Sequence, residues 1–163
     1  MTNIESYVGS ALHDSSLSGN VWASANAVLG VVTFDLGGPY EIDGLALWNL
    51  QQGAPATLRG FTLFADDDAV FGNGTGANLG AFAPPNMGNA PIPSSVFNFA
   101  AVTTRYLQFQ MTANNADAVA TGFGEIVFRG ADVTAVPEPG SLALVAGAVL
   151  AAAGATRRRA KAA

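Results

Sequence analysis

Between Val31 and Arg129 every strongly apolar run is short, and each is stopped by residues that turn the chain. Val31-Val32-Thr33-Phe34-Asp35-Leu36 is rich in β-branched and aromatic side chains and runs into Gly37-Gly38-Pro39, which reads as a turn. Leu45 to Leu50 is stopped by Gln51-Gln52-Gly53-Ala54-Pro55, and Phe61-Thr62-Leu63-Phe64-Ala65 by Asp66-Asp67-Asp68. Val96–Phe99 comes next. Tyr106-Leu107-Gln108-Phe109-Gln110-Met111 then alternates, with Leu107, Phe109 and Met111 on one face. Phe123 to Arg129 forms the last strand. Six or more short strands without an amphipathic helix among them predict an all-β fold, an antiparallel β-sandwich. Residues 69–95 read as a Gly/Asn/Pro-rich connection with room for a short strand near Leu79–Phe82. Connections of that length in compact domains are usually functional or mobile.

The 163 residues suffice for one domain with a real core. Half are hydrophobic and only 12% are charged, a balance that excludes a disordered chain. There is no cysteine, which removes disulfides, thiol nucleophiles and Cys-ligated zinc together. In the first 135 residues Arg59, Arg105 and Arg129 stand against eleven acids. A body that acidic repels phosphate backbones, so no nucleic-acid partner is expected. No P-loop, GxSxG or HExxH pattern is present. His13, the only histidine, has no serine-nucleophile motif to serve and reads as a loop residue. We therefore expect no catalytic residue and no enzyme.

The composition changes abruptly at Val136, dividing the chain into a body, 1–135, and a tail, 136–163. Val136-Pro137-Glu138-Pro139-Gly140 is a stiff, helix-breaking linker. Ser141 to Ala155 carries no charge; the alternative, a buried C-terminal helix of a soluble domain, would normally show a polar face, and this stretch has none. From Gly140 to Thr156 such a helix would be roughly 25 Å long, the short end of what crosses a hydrocarbon core. Ala143, Gly147, Ala151 and Ala155 would line one side of it with small residues. The basic residues that follow, Arg157, Arg158, Arg159 and Lys161, would stay on the cytoplasmic side, leaving the body outside.

A Pro-Glu-Pro motif (Pro137, Glu138, Pro139), an apolar helix and an arginine cluster, in that order, resemble the PEP-CTERM sorting signal of Gram-negative bacteria. The resemblance implies processing by the membrane protease exosortase and export through an inner-membrane intermediate. It also implies display at the cell surface or in an exopolysaccharide-rich biofilm matrix. The family carries an N-terminal signal peptide as well. Residues after Met1 show no basic region followed by an apolar stretch, so the natural start is expected upstream.

The body resembles the F5/8 type C, or discoidin, family with its galactose-binding-like jelly roll. The residues that carry the likeness span roughly 12–130. They are Asn20-Val21-Trp22-Ala23-Ser24, Phe34-Asp35-Leu36-Gly37 with Ile42-Asp43-Gly44, Phe61 to Asp68, and Arg105-Tyr106-Leu107 with Gly124-Glu125-Ile126. The chain departs from the family pattern at Asp14-Ser15 and at Ala65-Asp66-Asp67-Asp68-Ala69, and 69–95 looks like an insertion. The resemblance implies a structural calcium held by Asp14, Asn20 and Glu125, an oxygen-only set that suits this ion. The alternative is two turn residues and an exposed glutamate. Asp66-Asp67-Asp68 reads either as a second cation site or as a solvated turn. Trp22 is expected in the core. Trp48 and Tyr40 are candidates to stack on a sugar ring, with packing as the alternative. The expectation is a non-catalytic carbohydrate- or exopolysaccharide-binding module, the alternative a structural matrix protein without a small ligand.

Overall fold

The structure, a computed structural model, describes residues 8–13, 21–24, 27–50, 54–85, 91–117 and 119–133. Among these residues eight strands are formed: β1 Leu12–His13, β2 Trp22–Ala23, β3 Val31–Asn49, β4 Leu58–Asp66, β5 Ala77–Phe82, β6 Ile92–Pro93, β7 Ser95–Asn114 and β8 Gly122–Asp132. They pair antiparallel in the order β2-β8-β3-β7-β4-β5, with β1 and β6 as a separate pair. The all-β antiparallel expectation therefore holds.

The main sheet is continuous in its hydrogen bonds yet packs on itself. Phe97 and Phe109 both lie on β7, roughly 40 Å apart if the strand ran straight at about 3.3 Å per residue. Both rings nevertheless touch Phe61 of β4, with centroids 5.2 and 4.2 Å away. Phe34 and Phe128 meet edge to face at 5.1 Å, although Phe34 pairs with Leu107 and Phe128 with Leu45, at opposite ends of β3. The long strands must bend, and the sheet closes over its own inner face as a sandwich. Ile42, Leu45, Leu47, Leu58, Phe61 and Leu63 fill that interior from β3 and β4, and Leu107, Phe109, Met111 and Phe123 from β7 and β8.

Pairing slips where the bending is needed, at Asp35/Tyr40 and Ile42/Gly44 of β3. The first slip corrects the sequence reading. Gly37-Gly38-Pro39 is not a turn between two strands but an irregularity inside a single one. Residues 36–39 of β3 bulge opposite Arg105 alone, since β7 pairs at Tyr106 with Asp35 and resumes at Thr104 with Tyr40. Gly37 takes a positive φ of 81°, which glycine adopts without strain, and the Asp35 carboxylate accepts its N–H at 2.9 Å. The Val96 and Tyr106 runs merge in the same way into β7, because no chain-breaking residue stands between them.

Burial follows the pairing. From Val31 to Glu41 exposure alternates residue by residue, one face to water and one to the core. From Leu45 to Asn49 both faces are buried. Leu45 and Leu47 point into the sandwich. Ala46 and Trp48 occupy the opposite face, where His13 of β1 stacks on Trp48.

Candidate functional site

The expected calcium set is represented among the described residues by Glu125 alone; Asp14 and Asn20 lie outside them. Glu125 sits on β8 opposite Trp48 of β3. One of its oxygens, Oε2, lies 2.8 Å from Nδ1 of His13. His13 is thus no loop residue: β1 pairs it with Ile92 and lays its ring on the Trp48 indole, centroids 4.3 Å apart. The pairing uses one oxygen of a carboxylate that has two, so a cation could share Glu125. No group of three or more His, Asp or Glu residues suited to a metal occurs among the described residues.

Trp48 cannot present its face to a sugar in this conformation, a correction to the sequence reading. It is 0% exposed, and its Nε1–H donates to the carbonyl of Ala11 at 3.0 Å. The period of two along β3 places it on the outer face, but the N-terminal segment lies over that face, so packing wins. Tyr40 is half-buried and packs against the main core. Trp22, expected in the core, is instead 36% exposed and stacks on Phe123 at 5.3 Å from the sheet edge.

Asp66-Asp67-Asp68 forms a structured turn. Asp66 is buried, and its carboxylate accepts the N–H of Asp67 at 2.8 Å and the hydroxyl of Thr75 at 3.0 Å. Asp68 in turn accepts the N–H of Val70 at 2.7 Å and the Asn73 side chain at 3.0 Å. These carboxylates fold the segment from 67 to 76 back beside β4, which explains the acidic run without a metal.

At one end of the sandwich the described connecting segments use polar groups on one another. The segments around Ser24, Thr57 and Asn114–Thr121 bond to one another. Ser24 N–H reaches Thr121 O at 2.9 Å, Asn115 N–H reaches Thr57 O at 3.0 Å, and Gly122 N–H reaches Ala56 O at 2.8 Å. The Asn114 amide donates to the carbonyls of Asp117 and Ala120, both at 3.0 Å. Among the described residues this end satisfies itself.

Grooves open elsewhere. One, of about 330 Å³, is bordered by Val8, Ala46, Pro93, Val96, Val127 and Arg129. Arg129 is held there, its Nε–H donating to Asp43 at 2.7 Å and an amino group to Asn98 at 2.9 Å. Another, of about 340 Å³, lies between the outer face of β4 and β7 and the segment after the acidic turn; Phe64, Phe71, Gln108 and Gln110 line it with Gly72 and Gly74. No motif in the sequence marks these residues. The signal was present in the alternation of 106–111: if Leu107, Phe109 and Met111 face inward, Gln108 and Gln110 face out together.

Across known proteins, residues 135–159 match the PEP-CTERM protein-sorting motif. No curated protein matches the sequence. Solved structures resemble the body at low identity. A CBM32 module from a family 31 glycoside hydrolase of Clostridium perfringens is 15% identical, with a TM-score of 0.54 over 74% of this chain and 86% of its own. A second C. perfringens CBM32 module, from CpGH89 and in complex with GalNAc-β-1,3-galactose, is 15% identical, with a TM-score of 0.53 over 73% and 90%. An F5/8 type C domain from Bacteroides fragilis is 14% identical, with a TM-score of 0.52 over 72% and 80%. The motif residues Pro137, Glu138 and Pro139, the apolar segment, and Arg157, Arg158, Arg159 and Lys161 lie outside the described residues; among those described, no helix is long and apolar enough to cross a membrane. The chain thus carries a PEP-CTERM sorting motif on a body with the galactose-binding-like sandwich fold of F5/8 type C and CBM32 domains.

Proposed function

We propose that this chain is an exported, non-catalytic carbohydrate-binding module, processed by exosortase through its tail and held at the surface of a Gram-negative cell. The observation that carries the reading is the union, in one chain, of a sorting motif and a body that aligns with nine-tenths of a module solved in complex with GalNAc-β-1,3-galactose. At 15% identity that likeness supports an architecture and not a particular sugar. The acidic body favours a neutral glycan over an anionic polymer, since like charge repels.

Calcium, shared between Glu125 and the chain that follows β1, is part of the proposal. The contact of His13 with Glu125 supports it by tying the residue next to Asp14 in sequence to the last strand. A basic tail facing the cytoplasm and an exopolysaccharide ligand in a biofilm matrix complete the reading. The direct test is binding of the purified chain to an array of neutral and acidic glycans, with parallel assays for glycoside turnover. Saturable binding to a neutral glycan without turnover is expected. Turnover would overturn the non-catalytic reading, and a blank array would leave a structural surface protein as the better description. In a host with an active exosortase, replacing Pro137, Glu138 and Pro139 together with alanine should abolish processing.

A further inference from the structure

We infer that the glycan contacts this chain through the groove on the outer face of β4 and β7, roofed by the segment from Phe71 to Gly76. The inference rests on the carbohydrate-binding reading and gives it a place.

The face is built by cross-strand register. Thr33 of β3, Gln108 of β7 and Phe64 of β4 lie in one row, and Val31, Gln110 and Thr62 in the next. Directly paired residues share a face, so a hydroxyl, an amide and an aromatic ring stand side by side. Two residues along a strand advance about 7 Å, so the Gln108 and Gln110 side chains leave the backbone at points spaced on the order of one pyranose unit. Each amide offers two N–H donors and a carbonyl acceptor, a match for neighbouring sugar hydroxyls. Phe64 and Phe71, both half-buried, can take the apolar C–H face of a pyranose ring while remaining anchored.

The far wall is fixed. Asp66 and Asp68 hold the turn, and the Thr75 N–H bonds to Asn73 at 3.0 Å. Gly72 and Gly74 adopt φ of 92° and 96°, and having no side chains they let a ligand come against the backbone itself. The volume, about 340 Å³, is at the lower end of ligand pockets, and every lining side chain is uncharged. Uncharged amides, hydroxyls and rings in a partly open groove specify a neutral hexopyranose glycan over a phosphate or a uronic acid, whose anions find no cation here. The sandwich end around Ser24, Thr57 and Asn114 uses its described polar groups internally.

The test uses the full chain in mild detergent and the neutral oligosaccharide that binds best on the array. Gln110 is exposed, so Gln110→Ala should fold normally; Gln108→Ala and Phe71→Ala complete the set. The expected result is a tenfold or greater loss of affinity in each variant, with an unchanged melting temperature for Gln110→Ala. Backbone amides of 71–76 and 108–110 should also gain hydrogen-exchange protection when the sugar is added. If the sugar binds all three variants as tightly as the parent and protects other segments, the groove is the wrong place while the carbohydrate-binding reading stands. If no neutral oligosaccharide binds the parent, that reading fails and takes the groove with it.

Discussion

An indole at position 48 could serve a sugar or the core, and its surroundings assign it to the core. With its face on His13 and its N–H on Ala11, Trp48 is a packing residue that fastens the N-terminal segment to the sheet. Trp48→Ala should cost roughly 3–5 kcal/mol in denaturant unfolding, the range for large aromatic truncations; a cost near zero would mean that the ring is not packed as described. Glu125 gives a ligand test. If calcium joins it, the ion at about 100 times its Kd should add roughly 2.7 kcal/mol of stability. Chelation should remove that gain and Glu125→Gln should blunt it; identical melting curves with calcium and with chelator would end the metal proposal. Asp35 provides a pH signature. The Arg105 guanidinium, 2.8 Å away, and then the Gly37 N–H lower its pKa from 3.8 to about 2. A carboxyl depressed on folding contributes stability above its unfolded pKa, and the contribution fades as pH falls through the folded value. The stability difference between the parent and Asp35→Asn should therefore be constant above pH 5 and shrink between about pH 4 and 2. It should also be small and salt-sensitive, because the pair is exposed.

At the scale of elements, the turn from Asp66 to Thr75 shows how side chains can replace a strand partner. The backbone N–H groups of Asp67, Val70 and Thr75 bond to carboxylates and an amide from within the same segment. Asp66→Ala removes the acceptor for both the Asp67 N–H and the Thr75 hydroxyl and should cost about 1–3 kcal/mol. Asp66→Asn, which keeps one carbonyl oxygen, should cost less. Hydrogen exchange at 67–76 should quicken in Asp66→Ala before the core strands respond, because the turn can open without them. Exchange that rises uniformly over the body would show instead that the turn is integral to the global fold. The same element makes the far wall of the inferred groove, so its rigidity bears on affinity as well as stability. A preformed wall spares the ligand the entropy of ordering it.

On the scale of the molecule, the chain divides into two compact units, Met1–Val133 and Thr134–Ala163. Among the described residues, all of which lie in the first unit, the main core cluster joins β3, β4, β7 and β8. A chain ending at Thr134 is expected to be soluble and to unfold cooperatively, with a midpoint within a few degrees of the full chain's in detergent. Aggregation of the shortened chain would make the tail part of the folding unit. Inside the body, the interdigitated rings of Phe61, Phe82, Phe97 and Phe109 hold the two halves of the folded-over sheet together. Each such pair adds about 0.5–1.5 kcal/mol beyond its buried area.

Local pattern alone determined the class of fold. Alternation along Tyr106–Met111, β-branched runs and the absence of a helical period leave an antiparallel sandwich as the consistent solution. The Pro-Glu-Pro motif, the apolar segment and the arginines were equally legible, because a sorting signal is read as a linear string. The Asp66 run was legible as a turn, since acids there bond to nearby N–H groups regardless of what is packed against them. What the sequence could not decide was which outer faces stay open. Trp48 and Gln108 are both outward-facing strand residues, and nothing in their local sequence says that β1 lies over one and that a groove remains beside the other. Nor could Gly37-Gly38-Pro39 declare itself a bulge, since the same residues close a hairpin when no neighbouring strand continues past them. Those outcomes depend on pairing across dozens of residues, as in Phe61 meeting both Phe97 and Phe109. They exist only once the sheet has folded over itself, because burial is a property of the partner that arrives and not of the residue that waits.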